Sequence, residues 1–136
     1  MDPLSFQAGN AIIGNKFECE GLELVVPPTS AHTGGMSFSA FFHSKTIVAV
    51  TGAPATVLVD GREYDSWTRI EVPAKSKVTI TGPSNKSDLS GGGLRAYLLI
   101  AGGFPGIPEY LGSKSTSLGF GGYQVCDVVV QCQSLC

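Results

Sequence analysis

Short apolar segments alternate with glycine- and proline-rich turns along most of this chain. Such spacing predicts a mainly β protein of the sandwich or barrel class. Asp60-Gly61 predicts a tight hairpin turn, because both residues accept positive φ angles. Residues 94–101 are the most apolar segment and are expected to form a central strand. The predicted strands are residues 21–26, 38–42, 45–51, 55–59, 62–64, 68–72, 77–81 and 94–101.

One helix is predicted before the first strand, over residues 3–13. Asp2 can cap its N-terminus, Pro3 suits the first helical position, and Gly14-Asn15 supply a C-terminal stop. Its apolar face is expected to pack against the core. The residues of that face are Leu4, Ala8, Ala11 and Ile12.

Glycine-rich segments predict the loops. Residues 82–93 have little to bury and predict an exposed, mobile loop. Within it, Gly91-Gly92-Gly93 favours a flexible connection over an anion cradle, because no helix follows. Gly119–Gly122 either lines a ligand site or turns a barrel corner. Val128–Val130 predicts a short strand in the tail.

Composition narrows the class of protein. A chain of 136 residues predicts one domain, and 43% hydrophobic against 15% charged residues predicts a folded one. The net charge of −2 leaves no electrostatic signature of a nucleic-acid or anionic-membrane partner. No apolar run is long enough to span a bilayer, and the N-terminus does not resemble a secretory signal. A cytoplasmic protein is expected.

Cysteine and histidine give weak signals. The four cysteines form no C-x-x-C pair, so reduced, incidental thiols and no metal site are expected. His32 and His43 are expected to be surface or satisfied residues, with His43 as a general base the less favoured alternative. Trp67 is expected to pack in the core or at a barrel mouth. The cysteines are Cys19, Cys126, Cys132 and Cys136.

The stretch from Arg95 to Thr116 carries the main candidate chemistry. Its apolar strand runs into two glycines, a proline-braced turn and a polar loop, which brings N–H groups, hydroxyls and a cation to one place. The loop lacks the first glycine of a phosphate-binding motif, because Ile107 stands there. Spacing alone favours a solvated Lys114 over one that meets a carboxylate or carbonyl group. Arg95 is expected to pair with an acid or to line the barrel's end.

Six segments, in order and at matching spacing, resemble the allophanate hydrolase subunit 2 family. The segment Arg95–Thr116 matches the family's sequence closely. The resemblance as a whole covers residues 1–124. The other segments are Met1–Phe6 with Ala11–Asn15, Gly21–Leu24, Thr51–Ala53 with Asp60-Gly61, Trp67, and Gly119–Gly122.

The resemblance implies a carboxyltransferase-type domain with a cyclophilin-like β-barrel, the first half of a two-lobed domain. The family includes the carboxyltransferase region of biotin-dependent urea carboxylase and of urea amidolyase, a 5-oxoprolinase subunit, and a regulator of a sporulation kinase. The implied reaction moves a carboxyl group from carboxybiotin to urea or a related amide, giving allophanate. Biotin and ATP would be held by partner domains, namely a biotin carboxylase, a biotin carrier and an allophanate hydrolase subunit 1-like domain.

The same resemblance suggests a substrate-binding set without identifying catalytic residues. Hydrogen-bond donors are needed where an oxyanion develops, and the polar loop supplies them. The predicted set is Arg95, Ser113, Lys114, Ser115 and Thr116.

The ends of the chain depart from the family. A preceding β segment and a second half are missing, and residues 125–136 match nothing in the family. The chain is therefore expected to be a truncated fragment with a non-family tail, inactive alone. Two alternatives stay open, a subunit of an ATP-dependent 5-oxoprolinase and a non-enzymatic regulatory or binding module.

Overall fold

The computed structural model describes residues 2–25, 37–82 and 95–115. Within these ranges the chain is mainly β, with one N-terminal helix and two four-stranded antiparallel sheets. The elements are α1 (Pro3–Ile13), β1 (Gly21–Val25), β2 (Ser37–Phe42), β3 (Thr46–Gly52), β4 (Thr56–Val59), β5 (Arg62–Tyr64), β6 (Ile70–Val72), β7 (Ser76–Thr81) and β8 (Arg95–Ile100).

The eight strands occur where the sequence predicts them, with ends that shift by one or two residues. The first sheet has the order β1-β8-β3-β6, and the second has the order β2-β7-β4-β5. The predicted hairpin between β4 and β5 is confirmed, since Asp60 and Gly61 have φ angles of 50° and 84°. Closure of the two sheets into a barrel stays a prediction.

The main core lies between the two sheets. Alternate residues of β3 and β8 in the first sheet point toward alternate residues of β4 and β7 in the second, and their side chains are fully or nearly fully buried. This alternation is the expected result of a period-two strand with one face on the core. The buried residues from these four strands are Val48, Val50, Ala96, Leu98 and Ile100, with Val57, Val59, Val78 and Ile80 opposite.

Strand β8 is the inner strand that the sequence predicts. It pairs with β1 on one side and with β3 on the other, and five of its six residues are buried. Its other face carries Tyr97 and Leu99, which pack under α1. They form one cluster with Ile13 of that helix and Ala49 of β3. Because both faces are covered, the strand is apolar without alternation.

Helix α1 begins and ends as predicted, but its buried face is only partly the predicted one, in which Ile12 does pack against the core. Leu4 is 76% exposed and Ala11 is exposed, so their expected packing on the core is wrong. A hydroxyl, a glycine and an amide face the sheet instead. The buried residues are Ser5, Gly9, Asn10 and Ile13.

Gly9 explains the changed face. A Cβ there would lie 2.5 Å from Cδ2 of Leu99 and 2.8 Å from Oγ1 of Thr51, so the helix sits closer to the sheet than a side chain would allow. At that distance the Thr51 hydroxyl donates to the Ser5 carbonyl oxygen over 2.8 Å. Polar groups on the inner face are thereby satisfied, which makes their burial tolerable.

The N-terminal cap of α1 yields a testable pH dependence. The Ser5 hydroxyl and then the backbone N–H of Ser5 donate to the Asp2 carboxylate, which holds its pKa below the ordinary 3.8. The carboxylate therefore contributes stability above about pH 3.8, and that contribution is lost as pH falls through the lowered pKa of the folded state. Asp2→Asn keeps a capping oxygen without the charge that favours a helix N-terminus.

We expect Asp2→Asn to lower the melting temperature at pH 7 and to match the wild type near pH 2. Thermal unfolding followed by circular dichroism across this pH range measures the difference. The control is Asp65→Asn, which makes the same change away from the helix. A difference between wild type and Asp2→Asn that persists unchanged at pH 2 would contradict the role of the charge.

Two single residues are placed on the surface. Trp67 is 45% exposed, so of its two expected positions the core is wrong and a barrel mouth stays a prediction. His43 is exposed and its ring contacts Phe41 edge to face, with centroids 5.0 Å apart. This position agrees with the favoured interpretation of His43 as a surface residue.

Several predicted features lie outside the described residues. They are Val26, loop residues 83–93 with Gly91–Gly93, Leu94, His32, Thr116, Gly119–Gly122, Val128–Val130, and Cys126, Cys132 and Cys136.

Candidate functional site

A groove of about 980 Å³ lies on the helix side of the first sheet, where β1 is the outer strand. Its described lining comes from the first turns of α1, from most of residues 17–23, from Arg95 with Tyr97, and from part of residues 107–115. The groove brings together four of the five predicted substrate-binding residues. These four are Arg95, Ser113, Lys114 and Ser115.

A tight turn places Lys114 in the groove. Tyr110 and Ser113 exchange two backbone hydrogen bonds, with N–O distances of 2.8 and 3.0 Å. Leu111 and Gly112 between them have φ angles of 50° and 75°, the values of a hairpin turn that suits glycine at its second position. The Ser113 hydroxyl then accepts the backbone N–H of Ser115 at 3.1 Å. These hydrogen bonds fix Ser113 and Ser115, the residues on either side of Lys114.

Lys114 forms an ion pair with Glu20, so the interpretation of Lys114 as a solvated loop residue is wrong. The two side chains are 33% and 25% exposed. The hydrogen bond to Glu20 raises the pKa of Lys114. Burial raises the pKa of Glu20, but the hydrogen bond from Lys114 and those from backbone N–H groups outweigh it, and the net pKa is lowered. Both groups are therefore charged at neutral pH.

Arg95 pairs with Glu23, which confirms the expected acidic partner. In the β1–β8 register, Glu23 lies opposite Tyr97 and Val25 lies opposite Arg95. Glu23 and Arg95 are therefore diagonal neighbours on one face of the sheet, a separation that long side chains can span. The arginine is about half exposed and lines the groove, and its guanidinium has more N–H donors than the one that Glu23 accepts.

The segment that carries Glu20 is held by the side-chain amides of two asparagines, of which Asn10 is buried and Asn15 is half-buried. The Asn10 side chain donates to the carbonyl oxygen of Cys19 at 2.8 Å. Asn15 donates to the Asn10 side-chain oxygen at 3.0 Å and to the carbonyl oxygen of Ile100 at 2.9 Å. These bonds tie the end of α1 to the end of β8 and to the residue before Glu20. The position of Glu20 is therefore set by the packed core.

Gly103 closes the other side of Glu20. A Cβ on this glycine would lie 2.5 Å from Oε2 of Glu20 and 2.6 Å from Sγ of Cys19. The φ angle of Gly103 is 69°, which also favours glycine. The two glycines after β8 thus turn the chain and allow its backbone to approach the carboxylate closely.

The surroundings of Cys19 disfavour its thiolate form. Burial and the neighbouring Glu20 charge raise the pKa of its thiol, and the thiolate is the reactive form. The thiol lies 3.7 Å from Oε2 of Glu20 and is not in a disulfide. The reduced state of the four cysteines stays a prediction.

Sequence reasoning missed the acidic half of the groove. Glu20 and Glu23 lie more than seventy positions before their partners. The available signal was the Leu22-Glu23-Leu24 alternation, which turns Glu23 away from the core face that Leu22 and Leu24 share. Two more acids, Glu18 and Glu109, line the same groove.

Within residues 2–25, 37–82 and 95–115, no group of three or more His, Cys, Asp or Glu side chains is arranged to hold a metal ion. No helix in the described part of the chain has the length and apolar character required to cross a membrane.

Comparison with known proteins gives consistent matches. Residues 1–131 match the family described as carboxyltransferase domain, subdomain A and B. The urea amidolyase of Saccharomyces cerevisiae is 37% identical over 125 residues, which are 90% of this chain and 6% of that protein. An Emericella nidulans protein named as a urea carboxylase is 34% identical over 126 residues, which are 91% of this chain and 9% of that protein.

The fold matches as well. The crystal structure of the Kluyveromyces lactis urea carboxylase aligns with a TM-score of 0.67 and 30% identity, over 85% of this chain and 9% of that one. The chain thus spans 6% to 9% of the length of these proteins. The family match ends at residue 131, and the domain boundary at residue 124 stays a prediction.

Proposed function

This chain belongs to the carboxyltransferase domain family, subdomain A and B, and we propose that it serves as part of a urea carboxylase. In the proposed reaction a carboxyl group passes from carboxybiotin to urea, giving allophanate. The observation that carries the proposal is the match of nine tenths of the chain to a urea amidolyase and to a protein named as a urea carboxylase. Biotin and ATP belong, in this proposal, to partner domains of the biotin carboxylase, carrier and allophanate hydrolase subunit 1 types.

The groove is the proposed substrate site. Arg95, Ser113, Lys114 and Ser115, with Thr116 next in the chain, are the proposed substrate-binding residues. The ammonium group of Lys114 has three N–H donors and the guanidinium of Arg95 has five, so each keeps donors that its one carboxylate partner does not use. The remaining donors suit a carbonyl oxygen that gains negative charge during transfer. The chemistry of the donor set therefore fits a carboxyl transfer.

The proposal extends to the architecture. We propose that the two sheets are parts of one cyclophilin-like barrel, the first half of a two-lobed domain over residues 1–124. The shared core between the sheets supports this, because side chains from both sheets contribute to one cluster. A second lobe would complete the groove on its open side.

Carboxyl transfer can be tested by inserting this chain in place of the corresponding segment of the Kluyveromyces lactis urea carboxylase. We expect the hybrid to form allophanate from urea in the presence of ATP and bicarbonate. Bicarbonate-dependent ATP cleavage without urea is the control that biotin loading is intact. A folded hybrid that loads biotin normally and forms no allophanate would refute the proposal.

Lys114→Met in the same hybrid tests the groove. Because it removes a charged donor at the proposed site, we expect kcat/KM for urea to fall by about 10²-fold. The matched control is Lys45→Met, which breaks another lysine–glutamate pair, one whose side chains are 70% and 61% exposed and lie away from the groove. Equal losses in the two variants would contradict a role for Lys114 in the site.

A further inference from the structure

The groove carries more carboxylates than cations. Both cations are already paired, Lys114 with Glu20 and Arg95 with Glu23. In the described lining, the acids outnumber the cations by two. These charged residues are Glu18, Glu20, Glu23 and Glu109 with Arg95 and Lys114.

We infer that the groove selects a neutral amide over a substrate that carries a carboxylate, with Glu20 and Glu23 as its specificity-determining residues. The inference rests on the proposed function, because it concerns the acceptor of the proposed transfer. It also separates two substrates that the sequence leaves open, since urea is neutral and 5-oxoproline carries a carboxylate.

Hydrogen-bonding capacity favours the neutral amide. A carboxylate offers about four lone-pair sites, so Glu23 can accept more bonds than the one that Arg95 donates. Glu20 has less capacity to spare, because Lys114, the Cys19 thiol and backbone N–H groups already donate to it. Urea brings four N–H donors and one carbonyl oxygen. Its N–H groups match the spare carboxylate sites, and its oxygen matches the spare donors of Lys114 and Arg95.

Electrostatics disfavours the anion. A carboxylate that approaches either cation also approaches the glutamate already bound to it, and two more acids lie in the same lining. Like charges placed together are a usual means of rejecting a wrong ligand. The carboxyl group to be transferred is also negative, but a tethered group reaches the groove at an effective concentration that a free substrate lacks.

The test is ligand binding to the 136-residue chain, followed by ¹H–¹⁵N NMR titration. The probes are urea and the matched pair 5-oxoproline and 5-oxoprolinamide, which share one ring and differ in carboxylate against carboxamide. We expect urea and the amide to shift the signals of Gly21, Lys114 and Ser115. The dissociation constant of the acid should exceed that of the amide about 25-fold, since the described lining has two acids more than cations and each unit charge near 4 Å is worth about fivefold in water.

Two variants assign this preference to the glutamates. Glu20→Gln and Glu23→Gln keep a hydrogen-bonding oxygen and remove one charge, and each should narrow the acid-to-amide ratio about fivefold. Testing both guards against a fold defect in one. Glu63→Gln on β5 is the matched control, because it removes one negative charge from an exposed glutamate outside the groove lining.

The outcomes separate this inference from the proposed function. The inference is overturned if the wild type binds the acid as tightly as the amide or more tightly, or if it binds none of the probes. It is also overturned if Glu63→Gln changes the acid-to-amide ratio of dissociation constants as much as Glu20→Gln and Glu23→Gln do. Selective binding of the amides supports it even if the hybrid enzyme forms no allophanate, a result that contradicts the proposed function alone. Allophanate formation without amide selectivity contradicts the inference alone.

Discussion

Leu98→Ala should lower the free energy of unfolding by about 2–5 kcal/mol, the range for a large-to-small change in a packed core. Leu98 is fully buried between the two sheets. It lies opposite Leu22 in β1 and Val50 in β3, so its side chain is surrounded by strands that cannot easily move inward. Guanidinium chloride denaturation followed by tryptophan fluorescence measures the change, with an unaltered denaturant dependence if the folded and unfolded states keep their surfaces.

Leu58→Ala is the matched control for this experiment. Leu58 lies in β4 between two buried valines but is itself only half-buried and belongs to neither core cluster. The same substitution there leaves no closed cavity, so we expect a loss below about 1 kcal/mol. Similar losses at the two positions would contradict the placement of the core between the sheets.

The position of β8 could be predicted from sequence because both faces of this strand are buried. A strand covered on both faces has no polar side to alternate with, and Ala96–Ile100 shows none. The β4–β5 hairpin was predictable for a local reason, since Asp60-Gly61 accepts the backbone angles of the turn. The pairing order of the strands was not, because it depends on contacts between residues far apart in the chain.

The ends of α1 followed from local chemistry, whereas its orientation did not. Asp2, Pro3 and Gly14 act within one turn of the backbone and need no tertiary partner. The buried face depends on the fit between Gly9 and the sheet, and on bonds that satisfy Ser5 and Asn10. Hydrophobicity alone favours Leu4 and Ala11, because it takes no account of polar groups that are buried with partners.

The candidate site was predictable in its cationic half. Arg95 and Lys114 lie in one continuous segment whose glycines and polar loop mark it in the sequence. Glu20 and Glu23 come from the start of the chain and meet these cations through the β1–β8 pairing. The net charge of the described groove lining was therefore hidden until the two segments were placed side by side.

Gly52→Ala should be as damaging as the loss of a core side chain. Gly52 ends β3 with a φ angle of 94°, and a Cβ there would lie 2.5 Å from the carbonyl oxygen of Arg95 and 3.2 Å from Cα of Ala96. Both atoms belong to the backbone of β8, so no rotamer change relieves the contact. Conformational strain of about 1–2 kcal/mol adds to overpacking of about 1–3 kcal/mol, which predicts a loss of about 2–5 kcal/mol.

Gly14→Ala separates the two causes. Gly14 has a φ angle of 81°, but nothing lies within 4 Å of the position its Cβ would take. The free energy of unfolding of Gly14→Ala should therefore fall only by the conformational strain, about 1–2 kcal/mol. The two variants are compared by the same denaturation. Because the Arg95 carbonyl oxygen also accepts the N–H of Ala53 at 2.8 Å, the contact at Gly52 holds the strand end from which Arg95 reaches the groove. If Gly52→Ala loses no more stability than Gly14→Ala, β3 does not approach β8 this closely, and Arg95 is not fixed there.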